Sequence, residues 1–329
     1  MSLRTQSSWL DALTLALLLT LAGCASAPSG DQPAREGSTR NALLWDIIDG
    51  SILRGNAFTG LEYVRFMRPV AVAARGPNVY IVDDGLGKLF LYDRDTRDLS
   101  VLKDLRQLVS GEVNDIFVNH DLSYYLSDRD GGRVLHFDRE GKLIREFKDP
   151  INLGRPVAVV QDQAQGWVYI ADGFNDDVLV YNRAGLLVGA IGIRGEGQGR
   201  LRGITGFALG PQGYYVTTRY GESRVQVFGE DGAFVQEFQK DTVTFPLAIA
   251  VDSQNHAFVG DYMDNTIKVY DNGAYIYSLG ISGSAPGQFK RITDLWLDDG
   301  FLYVADSLNG RIQVLKVTPE SLRKARTPQ

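Results

Sequence analysis

Residues 302–317 read LYVADSLNGRIQVLKV. An apolar and aromatic run ends in Asp306. A short polar turn follows, and Arg311 opens an alternating run. Read alone, Asp306 and Arg311 look like an acid and its partner. Five other stretches align with them without gaps: VYIVDDGLGKLFLYD (79–93), YYLSDRDGGRVLHFD (124–138), VYIADGFNDDVLVYN (168–182), YYVTTRYGESRVQVF (214–228) and AFVGDYMDNTIKVYD (257–271). The positions matching Asp306 are Asp83, Asp128, Asp172, Thr218 and Asp261, spaced by 43 to 46 residues. A steady period of this size marks a repeat architecture.

Every copy has the same order of parts. A short apolar run comes first, such as PVAVAA (69–74), PVAVV (156–160) or PLAIAV (246–251). A turn leads to the aromatic and β-branched run that ends in the aspartate. A polar turn leads to a third alternating run. A hairpin turn such as Glu140-Gly141, Asp231-Gly232 or Asn272-Gly273 leads to a fourth. Each repeat therefore predicts four antiparallel strands. One such sheet cannot bury both of its faces alone, and a closed ring of six covers them all. The fold class expected is all-β, a six-bladed β-propeller spanning 43–317. The sixth repeat stops after its third strand. The apolar pieces ALLWDII (42–48) and SILRG (51–55) are the candidates for an N-terminal strand that closes the ring.

The strand ending in Val-Ala-Asp, the turn ending in Asn-Gly-Arg and the following Ile-Gln-Val resemble the NHL repeat. Thr244-Phe245-Pro246 and Ile249-Ala250-Val251-Asp252 resemble its start. GISGSAPGQF (280–289) and GIRGEGQGRL (192–201) resemble its glycine-rich linker. The resemblance covers roughly 69–317 and implies a recognition platform. Blade II departs from the pattern, with Asp115 near the start of its first strand, and blade IV lacks the aspartate.

The N-terminus belongs to a different logic. ALTLALLLTL (12–21) is too short to span a bilayer and suits the apolar core of an export signal. It runs into Leu21-Ala22-Gly23-Cys24, which resembles the lipobox of bacterial lipoproteins. The resemblance implies cleavage after Gly23 and lipidation of Cys24. Ala25 in place of aspartate implies sorting to the outer membrane. The expected organisation is a signal peptide (1–23), a flexible tether (24–42), the propeller (43–317) and a polar tail (318–329). Cys24 is the sole cysteine, so an intrachain disulfide is excluded.

Composition bounds the function. The 329 residues are 44% hydrophobic and 22% charged, with 34 Lys and Arg against 40 Asp and Glu. This acidic balance argues against a nucleic-acid partner. Walker, Gly-x-Ser-x-Gly and Cys/His metal spacings are all missing from the sequence. No metal or other cofactor is expected.

The candidate residues fall into four sets. The repeated aspartates Asp83, Asp128, Asp172, Asp261 and Asp306 are expected to be structural, accepting hydrogen bonds from the turns that follow them. Arg133, Arg224, Arg311 and Lys88 are expected to support the same turns. His120, His136 and His256 occupy unlike positions in their repeats, which argues against a shared metal site. Asp115 and Asp294 are expected in the central channel, as a candidate ligand site or as two solvated acids. Leu86, Phe174, Tyr220, Tyr262, Met263 and Leu308 lie in loops predicted to emerge on one face, as a partner surface or as packing against neighbouring blades. The leading functional expectation is a lipid-anchored, non-enzymatic binding scaffold of the cell envelope. Its partners would be the membrane, through Cys24, and an envelope protein, polymer or small ligand on the loop face. The rival is a metal-dependent propeller lyase or lactone hydrolase working at the channel.

Overall fold

The computed structural model describes residues 43–53 and 62–317. The signal segment, Cys24, the tether and the polar tail lie outside these residues.

Six four-stranded antiparallel sheets form the blades. Blade I is Pro69–Arg75, Asn78–Asp83, Lys88–Asp93 and Leu99–Asp104, and blade II is Val113–Val118, Tyr124–Asp128, Arg133–Phe137 and Leu143–Lys148. Blade III is Pro156–Gln161, Val168–Asp172, Asp177–Tyr181 and Leu187–Ile191. Blade IV is Ile204–Gly210, Gly213–Thr218, Val225–Phe228 and Phe234–Glu237. Blade V is Pro246–Val251, His256–Asp261, Thr266–Asp271 and Ala274–Leu279. Blade VI is Ile292–Asp298, Phe301–Asp306 and Arg311–Lys316, completed by Leu43–Ile48.

Both faces of each sheet are buried, so the inner strands are apolar at nearly every position. Along the second strand of blade I, Val79 and Ile81 pack toward blade VI while Tyr80 and Val82 pack toward blade II. This is the two-residue side-chain alternation of a strand put to use on two interfaces at once. The core is accordingly divided into six clusters, one at each blade boundary. Each buried aliphatic or aromatic side chain contributes about 1.5–3 kcal/mol.

The ring closes through the N-terminus. Leu43–Ile48 runs antiparallel to Arg311–Lys316, pairing Leu44 with Leu315 and Ile48 with Ile312. The other candidate piece serves the neighbouring blade. Gly50–Leu53 lies along the outer edge of blade I, beside Leu99, and pairs with Glu62–Arg65. Gly50 makes the crossing possible, because its φ is +148° and an added Cβ would meet the Val64 carbonyl oxygen at 2.1 Å. One segment thus staples the last blade to the first and covers two open edges.

The innermost strands line the channel. In every blade this strand has an irregular register near its start, as between Pro69 and Ala71 or Ile292 and Asp294. Such a bulge re-aims one side chain away from the ladder and leaves nearby N–H groups to be satisfied elsewhere. Proline opens three of these strands, at 69, 156 and 246, where its missing N–H removes nothing from the ladder.

Candidate functional site

The repeated aspartates are fully or almost fully buried, and all but Asp306 accept from backbone N–H groups in two directions. Asp172 accepts from Phe174 N (2.9 Å) in its own turn, and from Gly154 N (2.8 Å) and Arg155 N (2.7 Å) at the entry to the inner strand. Asp261 does the same with Met263, Thr244 and Phe245, and Asp83 with Leu86, Met67 and Arg68. Asp128 binds Ser110 N and Gly131 N, with Arg133 Nε at 2.8 Å. Asp306 binds Lys290 N at 2.7 Å, Arg311 Nε at 2.7 Å and Gln313 Nε2 at 2.9 Å. Each carboxylate ties one loop to the next strand's start and has little capacity left for a substrate.

Blade IV solves the same problem differently. Thr218 donates to its own turn, to Ser223 O at 3.1 Å. The entry N–H groups of Gly203 and Ile204 are caught instead by Asp176, from blade III, at 2.6 and 3.2 Å. Asp176 is left-handed, with φ 63°. The equivalent Asn265 of blade V likewise accepts from Arg291 N at 2.6 Å.

Asp115 and Asp294 both line the channel, a cavity of about 330 Å³, on blades separated by blade I. Neither carboxylate is free. Asp115 accepts from Val159 N of blade III at 2.7 Å, and Asp294 from Val72 N of blade I at 2.8 Å. Asp294 also accepts from Leu295 N at 2.8 Å. Enclosure by the inner strands pushes Asp115 up to about 6. Burial pushes Asp294 well above the usual carboxylate range, and the nearby charge of Asp115 adds to the effect. Among the described residues, no three His, Cys, Asp or Glu side chains converge to hold a metal ion.

Beyond these acids the channel is lined by both aromatic and polar side chains. Trp296 of blade VI meets Phe117 of blade II edge-on, with centroids 5.4 Å apart. Its indole N–H donates to Ala74 O at 2.7 Å. Arg75 stacks 5.7 Å from the Trp296 ring and pairs with Asp298 at 3.0 Å.

The opposite mouth, on the loop face, widens into a bowl of about 550 Å³. One or two residues per blade frame it, drawn from two positions: the one before the inner strand and the one after the repeated aspartate position. Of these positions the sequence singles out Tyr262 alone. Blade I contributes Arg68 and Asp84 as an ion pair, and blade II reverses the order with Glu112 and Arg129 at 2.6 Å. Blade III contributes Arg155, donating to Gly173 O at 2.7 Å. Blade IV contributes Arg219, blade VI Arg291, and blade V the aromatic pair Phe245 and Tyr262, edge-on at 5.3 Å. The Arg219 guanidinium lies 4.6 Å over Phe245 and that of Arg291 5.8 Å over Tyr262.

The loop residues divide among these surroundings. Tyr262 and Met263 line the bowl. Phe174 and Tyr220, 65% and 50% exposed, line a separate cleft of about 450 Å³ between blades III and IV, beside Arg155, Arg194 and Arg202. Leu308 is exposed, whereas Leu86 packs back against the core between blades I and VI.

The three histidines lie apart in kind. His136 stacks on Tyr125 of its own blade at 4.0 Å. Burial, with help from Arg145, pushes it down to about 4. His256 Nδ1 lies 2.8 Å from Asp252, and His120 is exposed.

No protein-family model matches the sequence, and no curated protein matches it. Solved structures do. A protein of unknown function from Bacteroides thetaiotaomicron superposes with a TM-score of 0.61 at 15% identity, over 80% of this chain and 72% of the other. An auxiliary nutrient binding protein from the same organism gives 0.58 at 12% identity, over 76% and 69%. Virginiamycin B lyase from Staphylococcus aureus gives 0.56 at 11% identity, over 77% and 96%. At these identities the likeness is one of fold.

Proposed function

We propose that this chain is a lipid-anchored NHL-type propeller of the bacterial outer membrane, acting as a non-enzymatic scaffold that binds another envelope component on its loop face. The observation that carries this reading is a difference in how polar groups are used. The carboxylates of the channel and strand ends are taken up by backbone N–H groups, while the loop face keeps aromatic and guanidinium groups exposed around two cavities. Exposed aromatics beside arginines are the usual anchors of a protein contact. The fold shared with an auxiliary nutrient binding protein accords with a binding role. The lipobox resemblance at Leu21–Cys24 supplies the address, and two or more acyl chains would make the anchoring stable.

The test is capture of partners from detergent-solubilised envelope by the full-length chain, with and without Phe174→Ala plus Tyr220→Ala. Loss of a partner in the double variant supports the reading, and retention of every partner refutes the proposed face. Lipid labelling of a Cys24→Ser variant tests the anchor separately.

A second reading has one observation behind it: two carboxylates with raised pKa values share one channel. It makes the channel a metal-dependent lyase or hydrolase site. Metal analysis decides between them. A stoichiometric divalent ion that disappears in Asp115→Ala would favour the enzyme.

A further inference from the structure

The geometry points to the loop-face bowl as a binding site for a small organic polyanion, one carrying two or more carboxylate or phosphate groups on a compact, flat body. This deepens the proposed binding role of that face by naming a ligand chemistry for one of its cavities.

Charge at the bowl differs from blade to blade. Arg68 and Asp84 cancel in blade I, and Arg129 and Glu112 cancel in blade II. Arg155, Arg219 and Arg291 have no carboxylate of the described residues within ion-pair distance. Three uncompensated cations therefore face one cavity, in a chain whose net charge is −6. Converging like charges oppose folding, and a bound anion would relieve that opposition.

The cations are also held in place. Arg219 and Arg291 rest on the faces of Phe245 and Tyr262, flanking the aromatic pair from both sides, and Arg155 is anchored to Gly173 O. A guanidinium fixed this way keeps its outward N–H donors and loses little freedom on binding an anion. The Arg291 Nε is buried with no hydrogen-bond partner.

Size and depth narrow the ligand. A bowl of about 550 Å³ suits a small molecule. Asp115 and Asp294 wait below it in the channel. Their oxygens already accept backbone N–H bonds and offer an anion no donor, so an anion drawn in by the arginines stops at the mouth. The half-buried aromatic pair offers a flat partner for the ligand's body.

The probes are benzenetricarboxylate and inorganic tripolyphosphate, titrated calorimetrically into the full-length chain in detergent. At least one should bind, and more weakly as salt rises from about 50 to about 300 mM. Arg219→Ala and Arg291→Ala should each weaken it by about tenfold or more. Arg183→Ala, on an exposed turn away from the bowl, should leave it unchanged. Binding of the tricarboxylate alone assigns carboxylate chemistry, and of tripolyphosphate alone phosphate chemistry. The proposal is overturned if neither probe binds. It is also overturned if a variant with all three arginines changed to alanine binds as the parent does. Melting curves for each variant separate lost binding from lost fold. Partner capture through Phe174 and Tyr220 can persist when this site fails, so the two readings fail independently.

Discussion

The throat of the channel and its mouth both carry charge, and they use it in opposite ways. At the throat, Asp115 and Asp294 accept hydrogen bonds from the backbones of the next blades. At the mouth, among the described residues, Arg155, Arg219 and Arg291 lean on a carbonyl or a ring face and on no carboxylate. The throat acids are stitching between inner strands whose bulges leave N–H groups over. The mouth arginines stitch nothing of comparable strength. What distinguishes a candidate site from a frame is therefore the set of partners each group already has, and charge alone does not reveal it.

The comparison breaks most visibly at the frame. Asp306 is fully buried and holds Arg311, Gln313 and the Lys290 N–H at once. Asp306→Ala leaves the Lys290 N–H and Arg311 Nε without a partner and the buried Arg311 charge unpaired, and should cost about 4 kcal/mol in urea unfolding. Thr218→Ala, at the equivalent position of blade IV, should cost about 1 kcal/mol, because Asp176 already secures that entry. Equal losses at the two positions would show that the aspartate column does not do what its hydrogen bonds indicate.

The throat should announce itself through pH. Asp115, pushed up to about 6, keeps its proton in the folded protein where the unfolded chain has lost it. Its contribution is present below the ordinary carboxylate value and is lost as pH rises through about 6. Asp294 acts in the same direction. Asp115→Asn removes one contribution and relieves Asp294 of a neighbouring charge. The variant should gain stability relative to the parent, by roughly 1–2 kcal/mol, as pH rises from about 4 to about 7.

His136 provides the opposite slope. Its folded pKa of about 4 lies below the ordinary value of 6.5, so its contribution is full above 6.5 and is lost as pH falls through about 4. His136→Val should flatten the acid side of the stability profile, again by roughly 1 kcal/mol. An unchanged profile would mean that the ring is not neutral in the folded state.

Much of this frame was legible in the sequence. The aspartate column, its period and the two-sided apolar strands together specify blades, because no single blade can cover its own faces. The closing strand was legible as a need, since the sixth repeat lacks a partner for Arg311–Lys316. The division of labour between 43–48 and 50–53 was not, because it turns on the conformation of Gly50. The bowl was missed for a different reason. Its arginines alternate between two columns, before the inner strand at 155 and 291 and after the aspartate position at 219, so a scan of one column sees only scattered charge. Reading both columns together would have shown the pairs that cancel and the three that do not. Asp115 and Asp294 were placed in the channel from sequence, yet their backbone partners lie on other blades, beyond the reach of local pattern.

The smallest expected effect is the most telling. The mouth arginines should be surplus to the fold. The direct measurement is the urea unfolding free energy of the variant with Arg155, Arg219 and Arg291 all changed to alanine, beside that of the parent. The two values should lie within about 1 kcal/mol of each other, since the rings and carbonyl these arginines lean on are weak partners and their mutual repulsion is removed. A loss of about 4 kcal/mol or more, matching Asp306→Ala, would contradict it and return these arginines to the frame.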